Sequence, residues 1–156
     1  MIGDKLANLL EELGVVLKIS LKPDKNNCCL LKFKNGAQVQ MEMDSRSENV
    51  VMVSELGQLS QGRYRENILK EALKANGLPA PQTGIFAYSK KKESLLLTDQ
   101  LAMEELSGLK LAEHISLFMQ KADLWREAIV AGQVPSFAGN ESSFGKQPGG
   151  LFGLVH

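Results

Sequence analysis

A chain of 156 residues and 17.1 kDa fits one domain with at most a short appendage. Apolar residues make up 44% and charged residues 23%, an ordinary globular mixture that excludes wholesale disorder and collagen-like structure. Eighteen Lys+Arg balance eighteen Asp+Glu, so the basic excess of a polyanion binder is missing and nucleic acid is not an expected partner.

The first predicted element is a helix. Ile2, Leu6, Leu9, Leu10 and Leu13 fall on one face, and Gly14 is read as its C-terminal cap. Asp4, Glu11 and Glu12 interrupt the apolar positions, so the stretch does not read as a signal peptide, and no apolar run approaches the roughly 20 residues of a bilayer span. The period then changes to two. Leu17, Ile19 and Leu21 alternate with Lys18, Ser20 and Lys22, and a turn follows at Pro23-Asp24 and Asn26-Asn27. A second apolar run covers 28–33. Asn35-Gly36 is the strongest hairpin signal in the chain, and Val39, Met41 and Met43 alternate behind it. A further strand is expected over 49–54. The short links make these pieces an antiparallel meander.

The 3.6 period returns at Tyr64, Ile68, Leu69, Ala72 and Leu73, a helix of about 14 residues closed by Asn76-Gly77 and Pro79. Strands are expected over 85–89 and 94–102, joined by the charged turn Lys90-Lys91-Lys92-Glu93. The longest helix, about 108–131, carries Leu111, Ile115, Phe118, Met119, Ala122, Trp125 and Ile129, and Gly132 and Pro135 end it. The fold class is α+β: a two-layer arrangement of three helices on a twisted antiparallel sheet, in the order α-β-β-β-(β)-α-β-β-α. Residues 1–134 form the domain. Residues 135–156 form a Gly-rich tail, read as mobile, that still carries Phe137, Phe144, Leu151, Phe152, Leu154 and Val155.

The catalytic inventory is thin. His114 and His156 are the only histidines, and His114 reads as a partly exposed helix residue. No HExxH, zinc-spaced Cys/His set, P-loop, dinucleotide fingerprint or GxSxG elbow occurs. Asp99, Glu104 and Glu105 read as a solvated strand end and helix approach. Cys28 and Cys29 are adjacent, point to opposite faces of a strand, and read as two buried thiols of a reducing cytoplasm. The expectation is therefore a binding protein: no enzyme, no catalytic residue, no metal, no cofactor, and no insertion into a membrane. Six Met supply soft, repackable surface suited to varied side chains, and Trp125 with Arg126 is a candidate interface anchor that reads first as core.

In order along the chain, LANLLEELG at 6–14, CCLLKFKNGAQVQMEM at 28–43, VVMVSELGQLS at 50–60, ILKEALKANG at 68–77, GIFAYSKKKESLLLTDQLAME at 84–104 and KADLWREAI at 121–129 resemble one family. It is that of the class I chaperones of bacterial type III secretion, the Tir-chaperone family. The paired Leu/Ile followed by Ala-Asn in the middle helix is the most specific match. The resemblance implies a cytoplasmic bacterial homodimer that hydrolyses no nucleotide. It would bind the unfolded N-terminal segment of a secreted effector, keep it extended and secretion-competent, and deliver it to the secretion apparatus, with the secretion ATPase as a further contact. It transfers Leu6, Leu9, Leu10, Leu13, Leu17, Ile19 and Leu30 as effector-binding candidates, and Ile68, Leu69, Ala72, Leu73, Ile85, Phe86 and Tyr88 as dimer-interface candidates. The alternative is a regulatory module of the same fold that sequesters a secretion or transcription regulator. The balanced charge and the Gly-rich apolar tail are departures from the family pattern.

Overall fold

The computed structural model describes residues 2–79 and 83–135, with side chains from Lys5 onward. The described elements run α1 (Ile2–Leu17), β1 (Cys28–Lys32), β2 (Gln38–Met43), β3 (Asn49–Gln58), α2 (Arg63–Asn76), β4 (Ile85–Ser89), β5 (Ser94–Ala102), a single 3-10 turn (Met103–Glu105) and α3 (Gly108–Ala131). The strands form one antiparallel sheet in the order β1-β2-β3-β5-β4. The long central strands β3 and β5 pair over nearly their whole lengths, and β1 and β4 are the edges.

Period-two alternation aims one parity of each strand at the helices. Leu31, Val39, Met41, Val50, Met52 and Leu97 are buried there beneath α1 and α3. Leu6, Leu10 and Leu13 of α1 meet Leu111, Ile115, Phe118 and Trp125 of α3 in the same core. The two helices touch closely at Gly108, where a Cβ would stand 2.5 Å from the Glu12 backbone carbon. Trp125 is fully buried against Phe86 of β4, with ring centroids 4.3 Å apart, so it is a core residue and not an interface anchor. A tryptophan so placed is worth about 3–5 kcal/mol against alanine.

Helix α2 lies apart, along the β4 edge. Its two ends are clamped differently. At its start Arg65 donates to the Tyr88 hydroxyl (3.0 Å) and lies 3.7 Å from Glu93. At its end Asn76 bonds the backbone of Phe86. Tyr64 donates to the Gln133 carbonyl (2.8 Å) and ties α2 to the chain leaving α3.

Three expectations are corrected. Helix α1 does not stop at Gly14. It continues to Leu17, and Lys18 takes the left-handed position at φ 61°. The Ile19 N–H bonds the Gly14 carbonyl (3.0 Å), so Gly14 opens the closing motif three residues before its end, where a Cβ would strike the Ile19 oxygen at 2.5 Å. The alternation of Leu17, Ile19 and Leu21 is not a strand: helix takes Leu17, and 18–27 form a link, leaving three strands before α2. Strand β3 runs past Ser54 to Gln58, carried across a bulge between Glu55 and Gly57. The remaining strand and helix expectations agree with the structure within one residue. Residues 136–156, which hold nearly all of the expected tail, lie outside the described residues.

Candidate peptide-binding surface

Both sheet edges are plugged at one point by a short side chain. At the β1 edge the Asp24 N–H donates to the Cys28 carbonyl (2.8 Å), and the Cys28 N–H donates to Asp24 Oδ1 (3.0 Å). The link 18–27 thus covers the first residue of the edge. Beyond it the edge opens. Phe33 donates to the Ala37 carbonyl across the hairpin (2.9 Å), so alternation along the ladder assigns Leu31 and Cys29 to β2. Leu30 and Lys32 then direct their N–H and C=O outward.

The outer sheet face is largely the wet face of the antiparallel sheet, with Lys32, Gln38, Gln40, Glu55 and Gln100 exposed on it, but apolar positions interrupt it. Leu30, Val53 and Leu96 stand on it, Leu30 with 48% of its surface exposed. They floor a groove of about 520 Å³ between the β1–β2 turn at Gly36 and the β4–β5 turn at Lys92; Glu55, Lys92 and Arg126 supply its charge. A second groove, about 840 Å³, lies between α1 and the link behind it, lined by Ala7, Gly14, Ile19, Leu21 and Pro23 among others. Val15 (76% exposed) and Ile19 line it, and Val16 and Leu17 are exposed beside them on the last turn of α1, an apolar rim at the helix end. A third apolar patch joins α2 to β4: Leu73 (70% exposed), Leu78 and Ile85 (45%), flanked by half-buried Leu69 and Tyr88.

These surfaces divide the residues singled out in the sequence. Of the effector-binding candidates, Leu6, Leu9, Leu10 and Leu13 are buried in the chain's own core, because the α1 face that carries them packs on α3 and the sheet. Leu17 and Ile19 reach the α1 rim, and Leu30 the outer sheet face. Of the dimer-interface candidates, Ile68, Ala72 and Phe86 are buried within the domain, while Leu73 and Ile85 are exposed together and Leu69 and Tyr88 lie half-buried beside them. Sequence reasoning missed Val15, Val16, Val53 and Leu96. A signal for the last two was present: Val50 to Val53 and Leu95 to Leu97 are apolar at both parities, which an antiparallel strand with one wet face does not need.

The titratable groups serve structure. Asp99 is not a solvated strand end, whereas His114 is the partly exposed helix residue expected and is paired with it. His114 Nε2 lies 2.5 Å from Asp99 Oδ2, which also accepts the Gly84 N–H (3.1 Å), while Asp99 Oδ1 accepts the Gln100 N–H (2.9 Å). Burial pushes the Asp99 carboxyl upward, but the bond from His114, the two N–H donors and the His114 charge outweigh it and hold the carboxyl below its ordinary range. Lys121 donates to the Gly84 carbonyl (3.1 Å), and burial lowers its pKa against the pull of Asp99. Both backbone groups of Gly84 are thereby held, which fixes the start of β4. Cys29 is buried but Cys28 is only half-buried, its thiol 3.3 Å from Glu42 Oε2, and burial with that contact raises its pKa. Among the described residues no group of three or more His, Cys, Asp or Glu is placed to hold a metal ion, and no helix is long and apolar enough to cross a membrane.

The model of the Tir chaperone protein (CesT) family matches residues 8–126 of this sequence, which spans every described element but the first six residues of α1 and the last five of α3. The chain belongs to the Tir chaperone (CesT) family. No curated protein matches it. Among solved structures, the Tir-chaperone fold seen here is similar to a chain in the complex of the Yersinia pestis type III secretion chaperone SycH with a fragment of YscM2, at 20% identity and a TM-score of 0.61, covering 77% of this chain and 98% of that one. It is also similar to a chain of the HopA1–SchA chaperone–effector complex, at 18% identity and 0.60, covering 80% and 97%. A chain of the heterodimeric ExoU–SpcU complex from the type III secretion system of Pseudomonas aeruginosa follows at 16% and 0.57, covering 81% and 96%. At these identities the likeness establishes a shared fold over nearly the whole of each of those chains.

Proposed function

We propose that this member of the Tir chaperone family is a type III secretion chaperone of the bacterial cytoplasm. It binds the N-terminal segment of a secreted effector, keeps it extended and secretion-competent, and targets it to the secretion apparatus. It acts by binding alone and catalyses no reaction. Support comes from family membership and from the fold-sharing structures, whose names describe a type III secretion chaperone with a fragment of YscM2 and a chaperone–effector complex.

The observation that carries the reading is the conjunction at Leu30: an exposed apolar side chain on an open strand edge. A segment without a fold of its own satisfies its backbone by adding to Leu30 and Lys32, while the alternate side chains on its outer face settle beside Leu30. The α1 rim of Val15, Leu17 and Ile19 offers a second station. Each buried Leu or Phe anchor contributes roughly 1.5–3 kcal/mol, and ordering the segment costs about 1–2 kcal/mol per residue, so a long wrapped segment with several anchors is needed. The patch of Leu69, Leu73, Ile85 and Tyr88 serves a homodimer, which doubles the stations along one cargo.

The test is co-purification from cells that make the protein, comparing wild type with Leu30→Asp and Leu17→Asp. The exposed positions leave the fold intact, as circular dichroism checks. The reading expects an exported protein bound through its N-terminal region, and at least a tenfold loss of it from either variant. Equal recovery from both variants contradicts it.

A further inference from the structure

Resting on that reading, we infer that the cargo segment taken up by the α1 groove and the β1 edge is acidic: apolar anchors spaced by Asp and Glu, which meet a track of lysines running from Lys18 and Lys22 to Lys32.

The charges balance over the whole chain but not along it. Between Glu12 and Glu42 stand five lysines, Lys18, Lys22, Lys25, Lys32 and Lys34, and one acid, Asp24. All five lysines are exposed, and among the described residues none of them is in an ion pair. Asp24 does not answer them. Its Oδ1 accepts the N–H of Asn26 (2.8 Å) and of Cys28 (3.0 Å), which holds the carboxylate against the backbone of its own turn. The rest of the sequence carries the matching acidic excess.

The track coincides with the two surfaces open to a peptide. Lys18 and Lys22 line the groove between α1 and the link, beside Val15, Ile19 and Pro23, and Glu11 is the acid of that lining among the described residues. Lys25 lies on the link that joins the groove to the β1 edge. Lys32 stands exposed on that edge, on the same face as Leu30 two residues earlier. Their cross-strand neighbours, Gln38 and Gln40, are uncharged, while Glu42 faces Cys28 at the end of the edge that the link blocks. Lys34 extends the track into the β1–β2 turn.

The open edge selects the class of partner. Leu30 and Lys32 present N–H donors and C=O acceptors together, and a polypeptide backbone supplies the complement of both. A row of phosphates, in a nucleic acid or on a lipid surface, supplies acceptors alone. On an added strand the residues facing Leu30 and Lys32 stand two apart, so the favoured signature is an apolar residue, any residue, then Asp or Glu. Lysine is a point charge on a flexible stem, so the track selects charge without demanding one sequence, which suits a surface that must accept an unfolded segment.

The test uses the full chain and three labelled peptides that share their Leu and Phe anchors and differ in the residues between them: Glu, Gln or Lys. Fluorescence anisotropy should rank them in that order, the Glu peptide about tenfold tighter than the Lys peptide in dilute buffer. The gap should close as salt rises to about 0.5 M. Lys18→Glu, Lys22→Glu and Lys32→Glu in one chain should reverse the order. Lys70→Glu, Lys90→Glu and Lys91→Glu, on α2 and the β4–β5 turn, change the net charge equally and should leave it. All six lysines are exposed, and circular dichroism checks that both variants fold. Equal affinity for the three peptides, no binding of the Glu peptide, an order that the first variant keeps, or one that the second variant also reverses overturns the inference. So does binding to phosphatidylserine vesicles or duplex DNA as tight as to the Glu peptide and lost in the first variant. Equal affinities that Leu30→Asp abolishes overturn the acidic preference and leave the chaperone reading standing; that reading fails separately, when the wild type co-purifies with no exported protein.

Discussion

Asn76 stands in for a strand beside Phe86. Its Nδ2 donates to the Phe86 carbonyl (2.9 Å) and its Oδ1 accepts the Phe86 N–H (2.8 Å), so one side chain makes both bonds a neighbouring strand would make. Asp24 does the same for Cys28 at the opposite edge, using one backbone and one side-chain atom. The sheet is therefore blocked at one residue on each side, and β1 is left open beyond its block. The Ala-Asn pair that ends α2 acquires a physical meaning here: Ala75 packs inward while Asn76 closes β4.

Asn76→Ala removes both bonds and leaves Phe86 to find others. It should destabilise the fold by about 1–3 kcal/mol, measured by urea unfolding. Asn76→Asp restores only the acceptor and should fall between wild type and Ala. A cost indistinguishable from that of an exposed surface substitution contradicts the strand-mimic role.

Acid dependence follows from Asp99. Its carboxyl is held below the ordinary value of 3.8, so the folded state favours the ionised form. That stability is fully present above 3.8 and is lost as pH falls through the lower folded-state value. Asp99→Asn should flatten this loss in urea midpoints taken at falling pH, and should lower stability near neutrality by roughly 1–3 kcal/mol, since His114 and the Gly84 N–H lose a charged acceptor. Equal acid slopes for the two proteins contradict the assignment.

Lys18 ends α1 in the left-handed region at φ 61°, where a Cβ costs energy that glycine avoids. Lys18→Gly should stabilise the protein by about 1 kcal/mol by thermal or urea unfolding. A destabilised variant contradicts the cap. The misreading of this helix end has the same cause. The left-handed position falls to Lys18, whereas Gly14 is required by the close approach of the Ile19 carbonyl.

Leu73 and Ile85 are apolar, exposed and close to the Asn76 clamp, on the helix and strand proposed to meet a second copy. Leu73→Asp with Ile85→Asp should convert a dimer to a monomer in sedimentation at micromolar concentration, with the helical signal intact. A wild-type monomer, or a variant that still dimerises through another face, contradicts that interface.

Much of this was legible in the sequence because local signals and packing agree. Asn35-Gly36 made a turn, Asn76-Gly77 closed α2, and the period of α3 located its ends. What was illegible depended on contacts between distant residues. The α1 leucines looked like binding residues because periodicity reveals an apolar face but not what covers it; α3 and the sheet cover it here. Leu17 looked like strand because two-residue alternation persists over any short run. The Asp99–His114–Gly84 cluster joins β5, α3 and the start of β4, and no spacing announces it. The outer face announced itself only through strands apolar at both parities.

The most direct measurement isolates the complex with its natural cargo, digests it lightly, and identifies the protected cargo fragment. The account predicts a fragment from near the N-terminus of an exported protein, tens of residues long, that shows no fold by circular dichroism when free and crosslinks to Leu30 and Leu17 positions when bound. A protected fragment that folds independently, or one held equally well by Leu30→Asp, contradicts it.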